Sequence, residues 1–300
     1  MIRQATKREK EQIKKMWVEH FTYDKIKYVE YYFNERFDEK NTLIYEENGV
    51  VLSSIQHLPY EMMFNNRILK TSLISGIGTF LTYESEILID AILNTCEHQE
   101  LITLASAENP ELFLIYGFEE IYLQNEIRIK REDLKNIGNH GCSYEASSVD
   151  MVKLYASFVK HFSGYTIRDV KYFDNLKKEV EAKNGKIISY YNNGLIEGYG
   201  ILLPKSGSEV YLEECIYLNS KALTKLVNLA LQHRSNCILK TSSAEDLSAF
   251  FPRCEIISKN YMLARINDFD LFNRLYRSSA TTTKEAYAIA GKGLFIRESI

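Results

Sequence analysis

Apolar positions recur in this chain with a period near two in some stretches and near 3.6 in others, and the switches between the two mark its elements. After a short strand at residues 2–5, Thr6 and Glu9 form a capping box for a helix carrying Ile13, Met16, Trp17 and Phe21 on one face. A second helix spans residues 25–37. Strands at 42–46 and 50–59 follow, joined by the hairpin signal Asn48-Gly49, and Asn65-Asn66 turns the chain into a long strand at 68–80. The period then becomes helical over 84–96. A buried strand (101–105), a short helix from Asn109-Pro110 to Ile115, and a strand (121–129) complete the series.

The same order recurs. Beyond a charged, glycine-bearing linker at 131–143, helices begin near Ser147 and Arg168. Strands at 186–191, 196–203 and 209–217 precede a helix (220–232), a strand (237–241), a short helix (245–250) and a strand (256–266). Tyr32-Phe33 matches Tyr172-Phe173 at an offset of 140, and Asn48-Gly49 matches Asn193-Gly194 at 145. The expectation is an α/β (α+β) protein built by duplication, with units at 1–135 and 136–266. A tail at 267–300 follows, whose apolar end, Leu294-Phe295-Ile296, implies docking on the first unit.

Composition narrows the classes. The chain of 300 residues is 45% hydrophobic and 26% charged, as in ordinary globular proteins. Its net charge of −3 argues against a nucleic-acid partner. No apolar run suits a membrane span and the N-terminus shows no signal peptide, so the expected compartment is cytoplasmic. The five cysteines lack CxxC spacing and the six histidines are scattered, which argues against a disulfide framework and against a metal site. Many Asn, Lys, Ile and Tyr with little Pro fit the coding bias of an AT-rich genome.

Chemistry concentrates where the long strand enters the helix after it. A strand-to-helix junction presents unpaired N–H groups and the positive end of the helix dipole, an arrangement suited to anions. Here the junction holds Glu84-Ser85-Glu86-Ile87, with no glycine and two carboxylates. Acidic residues in a first helical turn stabilise the helix, so these residues serve either the helix or a ligand. Tyr31, Tyr32, His57 and Tyr60 could line a cleft or fill the core.

The segments 2–6, 31–33, 74–79, 116–119, 172–173 with 184–187, 261–266 and 295–298, taken in order, resemble the Eis (enhanced intracellular survival) type of tandem GNAT N-acetyltransferase and its clostridial and bacillar relatives. The resemblance implies two GNAT-like units with a shortened C-terminal extension, acetyl-CoA as donor and a small-molecule primary amine as acceptor. It also implies homo-oligomeric assembly. The pantetheine would lie on the strand matching Ser75–Thr79, with Ile77, Gly78 and Thr79 in contact. The pyrophosphate loop, Arg-Gly-Lys-Gly in form, falls on Glu84, Ser85, Glu86 and Ile87. Each carboxylate would oppose a phosphate by about 3 kcal/mol at roughly 5 Å and an effective dielectric of about 20. The family's tyrosine acid falls on Phe113, which has no proton to give, and Tyr116 is the nearest hydroxyl. The family's base, the chain-terminal carboxylate, falls on Ile300. In the second half, Leu218-Asn219-Ser220-Lys221-Ala222 has no phosphate loop, and that half would serve as structure.

Three functions remain open at this point. One is an Eis-like acetyltransferase homologue with reduced or lost activity. Another is a non-catalytic binding module using the cleft between the units. The third is an acyltransferase whose donor lacks the CoA nucleotide phosphates.

Overall fold

A computed structural model of the chain describes residues 1–20, 26–79, 82–106, 108–134 and 137–298, with backbone alone at 79 and 82–84. These residues form two compact units, the first of Met1–Ile121 with Tyr261–Gly291 and Glu298, the second of Tyr122–Asn260 with Lys292–Arg297.

The first unit opens with β1 (Ile2–Gln4) and α1 (Lys10–His20), followed by α2 (Ile26–Tyr31) and a π-turn over Tyr32–Arg36. The capping box is formed: Glu9 accepts from the Thr6 N–H and hydroxyl, both at 2.7 Å, and is also bound by Arg3. Next come β2 (Thr42–Glu47), β3 (Val50–Phe64) and β4 (Arg67–Thr79), an antiparallel meander. Its turns use Asn48, Asn65 and Asn66 at positive φ, the conformation that glycine and asparagine tolerate best. Helix α3 (Thr82–Glu97) crosses to β5 (Ile102–Ser106), which pairs parallel to β4, and α4 (Glu111–Leu114) follows. Ile74, Leu88, Ile89, Ile92, Ala105, Phe113 and Phe118 pack together between the sheet and α3.

Strand β6 (Glu119–Lys130) departs from the sequence expectation. It pairs antiparallel with β12 of the second unit, Asn236↔Lys130 through Ser242↔Gln124. The place beside β5 is taken by β13 (Glu255–Ile266), from Met262↔Ser106 to Ile266↔Ile102. Each half of the sequence therefore contributes its last strand to the other unit. The first unit's boundary falls after residue 121, where the sequence suggests 135.

In the second unit, β7 (Cys142–Ser143), α5 (Ser148–Val159), β8 (Tyr165–Thr166) and α6 (Val170–Ala182) precede a meander of β9 (Lys186–Asn192), β10 (Leu195–Pro204) and β11 (Glu209–Tyr217). Helix α7 (Ser220–His233) then leads to β12 (Asn236–Ser242), parallel to β11. Helices α5, α6 and α7 are capped by Ser147, Asp169 and Asn219, each side chain accepting an N–H three residues on. The helix expected at 245–250 is a series of turns, with Phe250 N–H bonded to Leu247 O.

The duplication extends to irregularities. An extra residue lies in β3 between Ser53 and Val51, and in β10 between Ile196 and Gly198. Another lies in β4 between Ser75 and Gly78, and in β11 between Leu212 and Glu214. Bulges bend a strand and re-aim its edge, so their recurrence at matching places repeats the shape of the unit as well as its element order.

The tail divides between the units. Helices α8 (Phe269–Tyr276) and α9 (Thr283–Ala288) dock on the first, where Phe272, Tyr276 and Tyr287 surround Phe64. Leu294–Arg297 belongs to the second: Phe295 packs against Tyr155, Phe158 and Phe162, and Ser242 Oγ donates to Leu294 O at 2.7 Å. The expected docking on the first unit alone is thus corrected. The aromatic Phe295 finds apolar partners on and just after α5, while Ser163 N–H donates to Gly293 O and Ser163 O accepts from Phe295 N–H.

A fragment ending at residue 135 leaves β5 without β13 and β6 without β12. It is expected to lack a cooperative unfolding transition in urea, because bare central strands favour aggregation. Cooperative unfolding at the full chain's midpoint would contradict the exchange.

Candidate functional site

The parallel ladder between β4 and β5 runs from Thr71↔Ile102 to Ile74↔Ala105 and ends there. Strand β4 stays paired with β3 as far as Ser53↔Thr79. Among the described residues Ser75–Thr79 thus has one paired edge, toward β3, and no ladder partner on the other. Along such an edge alternate residues direct N–H and C=O groups outward, which suits an extended ligand bearing amides.

The bulge lies directly past the last ladder pair. Gly76 has φ +60°, a left-handed conformation open to glycine, inside an otherwise extended strand. Space matters as well. A Cβ at Gly76 would lie 3.0 Å from Gln56 Nε2 and 3.1 Å from the Trp17 ring, and one at Gly78 would lie 2.9 Å from Met16 Sδ. These two glycines let α1 close directly onto the strand backbone.

Glu84, Ser85, Glu86 and Ile87 lie inside α3, which starts at Thr82. A helix leaves N–H groups unpaired only in its first turn, so Ser85–Ile87 are past the anion-binding positions. The helix expected over 84–96 is thus present, and the loop implied by the resemblance is not formed at these four residues. Without glycines the segment takes up the helix, with Ser85 buried, Glu86 exposed and Ile87 half-buried. The side chains of Thr79 and Glu84 lie outside the described residues.

Phe113 is 4% exposed and packs on Phe118 with ring centroids 5.3 Å apart, a core residue. Tyr116 donates its hydroxyl to Glu86 O at 3.3 Å. Burial, then Asp90 and Glu86, raises its pKa, which makes it a weaker proton donor. Tyr32 is buried beneath Trp17, 4.6 Å between centroids, and donates to Gln56 Oε1 at 2.6 Å. Half-buried His57 neighbours Gln56 on β3 and so faces the opposite side of the sheet. Its pKa is lowered by burial and raised by Asp38, with the lowering dominant. Tyr60 lies about 13 Å along the strand from Gln56. Tyr31 stacks on Tyr28, 6.4 Å between centroids. The four residues expected to share a cleft therefore do not form one cluster, and Ile300 lies outside the described residues. Sequence reasoning missed Gln56. Its signal was a glutamine at an inward position of a strand whose neighbours Ile55 and Leu58 are apolar.

The second unit repeats the geometry and closes it. Its parallel ladder ends at Leu212↔Leu239, and β11 bulges immediately after. Beside that bulge Arg168 and Glu214, with side chains 1% and 6% exposed, form an ion pair in which one guanidinium nitrogen donates to both carboxylate oxygens at 2.9 Å. Tyr199 donates to Glu214 Oε1 at 2.7 Å. The guanidinium also lies over the rings of Tyr155 and Tyr172, at 4.4 and 4.8 Å. Near the strand ends, Glu245 accepts from Ser242 N–H at 2.9 Å and from the Tyr217 hydroxyl at 2.7 Å, with Arg297 of the tail lending countercharge.

A bulged meander, a crossover helix and a parallel strand that leaves its neighbour define the GNAT acyltransferase fold, present here twice. Residues 1–120 match a family model described as acetyltransferase (GNAT) domain. No curated protein matches the chain. Among solved structures, a conserved protein of unknown function from Enterococcus faecalis, described as a probable N-acyltransferase, superposes with TM-score 0.74 at 18% identity, covering 89% of this chain and 72% of that one. Eis1 from Mycobacterium abscessus gives 0.68 at 13%, covering 91% and 75%. A tandem GNAT protein from the clavulanic acid biosynthesis pathway gives 0.53 at 10%, covering 89% and 99%. At these identities the likeness is one of fold. Among the described residues no cluster of His, Cys, Asp or Glu could hold a metal, and no helix is long and apolar enough to cross a membrane.

Arg168→Met, which strands Glu214 in the core, is expected to cost about 3–5 kcal/mol by urea unfolding. Arg168→Met with Glu214→Leu should recover most of that loss. A single-variant cost below about 1 kcal/mol would show that the pair does not hold the second unit's bulge.

Proposed function

We propose that the first unit binds a small acyl thioester along Ser75–Thr79, as an Eis-like N-acetyltransferase homologue with a small primary amine as acceptor and reduced turnover. One observation carries this reading: β4 leaves β5 at Ile74↔Ala105 yet continues, bulged and paired to β3, to Thr79. The edge amides of that segment suit a pantetheine arm, whose own amides would replace the missing strand. A donor phosphate would meet the start of α3, and the thioester would reach the closed end near Ser75 and Gly76.

Two features account for slow turnover. Phe113 cannot protonate a leaving thiolate, and Tyr116 holds its proton more tightly than an ordinary phenol. Solvent then supplies that proton. Exposed Glu86 favours a second version of the reading, in which the donor is a pantetheine thioester without nucleotide phosphates. Because Glu86 faces water, its repulsion of a phosphate is nearer about 1 kcal/mol than the value of about 3 kcal/mol that an effective dielectric of about 20 gives.

Calorimetry tests the reading. Acetyl-pantetheine should bind at least as well as acetyl-CoA. Glu84→Arg with Glu86→Lys should tighten acetyl-CoA by about tenfold at low salt and leave acetyl-pantetheine unchanged. The reversal leaves buried Ser85 and half-buried Ile87 in place. No binding of either donor, or equal tightening of both, would contradict it. Tyr116→Phe is expected to change acetyl transfer to a primary amine by less than about threefold, against the roughly 10²–10⁴-fold of a working acid. A hundredfold loss would restore Tyr116 as the acid.

A further inference from the structure

Gln56 stands opposite Ser75 in the β3–β4 register, at the level where β4 begins to leave β5. Its side chain is enclosed, the residue being 1% exposed. Tyr32 donates to Oε1 at 2.6 Å, which ties one end of the amide. The other end, Nε2, is buried and has no hydrogen-bond partner among the described residues. That nitrogen lies 3.0 Å from the point a Cβ would occupy at Gly76, so it rests on the bare backbone of the bulge.

A buried N–H donor without an acceptor is costly, and native proteins retain few of them. This one is held in place by a neighbouring hydroxyl and lies against Gly76, in the bulge just past the last β4–β5 pair. Exchanging the amide oxygen and nitrogen would leave Oε1 as the unpartnered atom, so one end of Gln56 is unsatisfied either way.

We propose that Gln56 binds the carbonyl oxygen of the acyl donor through Nε2–H, with Tyr32 as a positioning residue that holds the amide in register. The proposal rests on the acyl-donor reading above. In the transfer step the amine nitrogen bonds to the thioester carbon while the C=O π pair moves onto oxygen, where Nε2–H stabilises it. The pair returns as the C–S bond breaks and sulfur leaves as thiolate. The proton lost by the amine passes through solvent to that thiolate.

The test compares S-acetyl-pantetheine with S-ethyl-pantetheine, a thioether of similar shape without the carbonyl, by calorimetry on the full chain. The wild-type chain should prefer the thioester by about five- to tenfold, the worth of one neutral hydrogen bond. Gln56→Met should bind both ligands equally, and Tyr32→Phe should fall between, with thermal melting used to establish that each variant folds. If Gln56→Met does not fold, Gln56→Asn, which withdraws the amide by one methylene, carries the same comparison. A preference unchanged in the variant, or absent from the wild-type chain, would overturn the role of Gln56 and leave the donor site standing. No binding of either ligand would overturn both.

Discussion

The bulge in β4 is the constraint on which the first unit depends. A strand carrying one residue more than its partner must bend, and here it bends away from β5 directly after Ile74↔Ala105. Gly76 permits the bend by taking φ +60°. Gly76 and Gly78 together let Trp17 and Met16 close over the strand. Removing the irregularity would let the parallel ladder run on, and the open edge would become ordinary sheet.

The two units show one geometry put to different ends. In the second, the space beside the bulge holds a charged pair bonded to the Tyr199 hydroxyl and flanked by two aromatic faces. The tail then covers the region near the strand ends. In the first, the corresponding place holds an amide with one end unpaired among the described residues. The two units repeat one frame with different side chains at the bulge, a charged pair in the second and an amide in the first.

Element order was legible because its signals are local. Asparagine at positive φ, inward-facing residues at period two or 3.6, and the Thr6–Glu9 capping box all act within a few residues. The exchange of β6 and β13 was not legible, since each reads as an ordinary final strand and partner choice is a long-range matter. The helical period over 84–96 was legible, while the likeness to a phosphate loop at Glu84–Ile87 competed with the helix those residues form. Phe113, on which the resemblance places an acid, is a core residue by its burial. Gln56 escaped notice because a lone glutamine carries no motif; only its enclosure and the bonding of its two amide ends set it apart.

The central claim is that Ser75–Thr79 offers its unpaired edge to an acyl-pantetheine. The most direct measurement is an amide chemical-shift map of isotopically labelled full-length protein titrated with S-acetyl-pantetheine. The account predicts that the largest shifts fall on backbone amides of Ser75–Thr79 and on the Gln56 side-chain amide, with β11 and β12 little changed. Shifts centred on β11 and β12, or saturable binding that leaves Ser75–Thr79 unmoved, would contradict it.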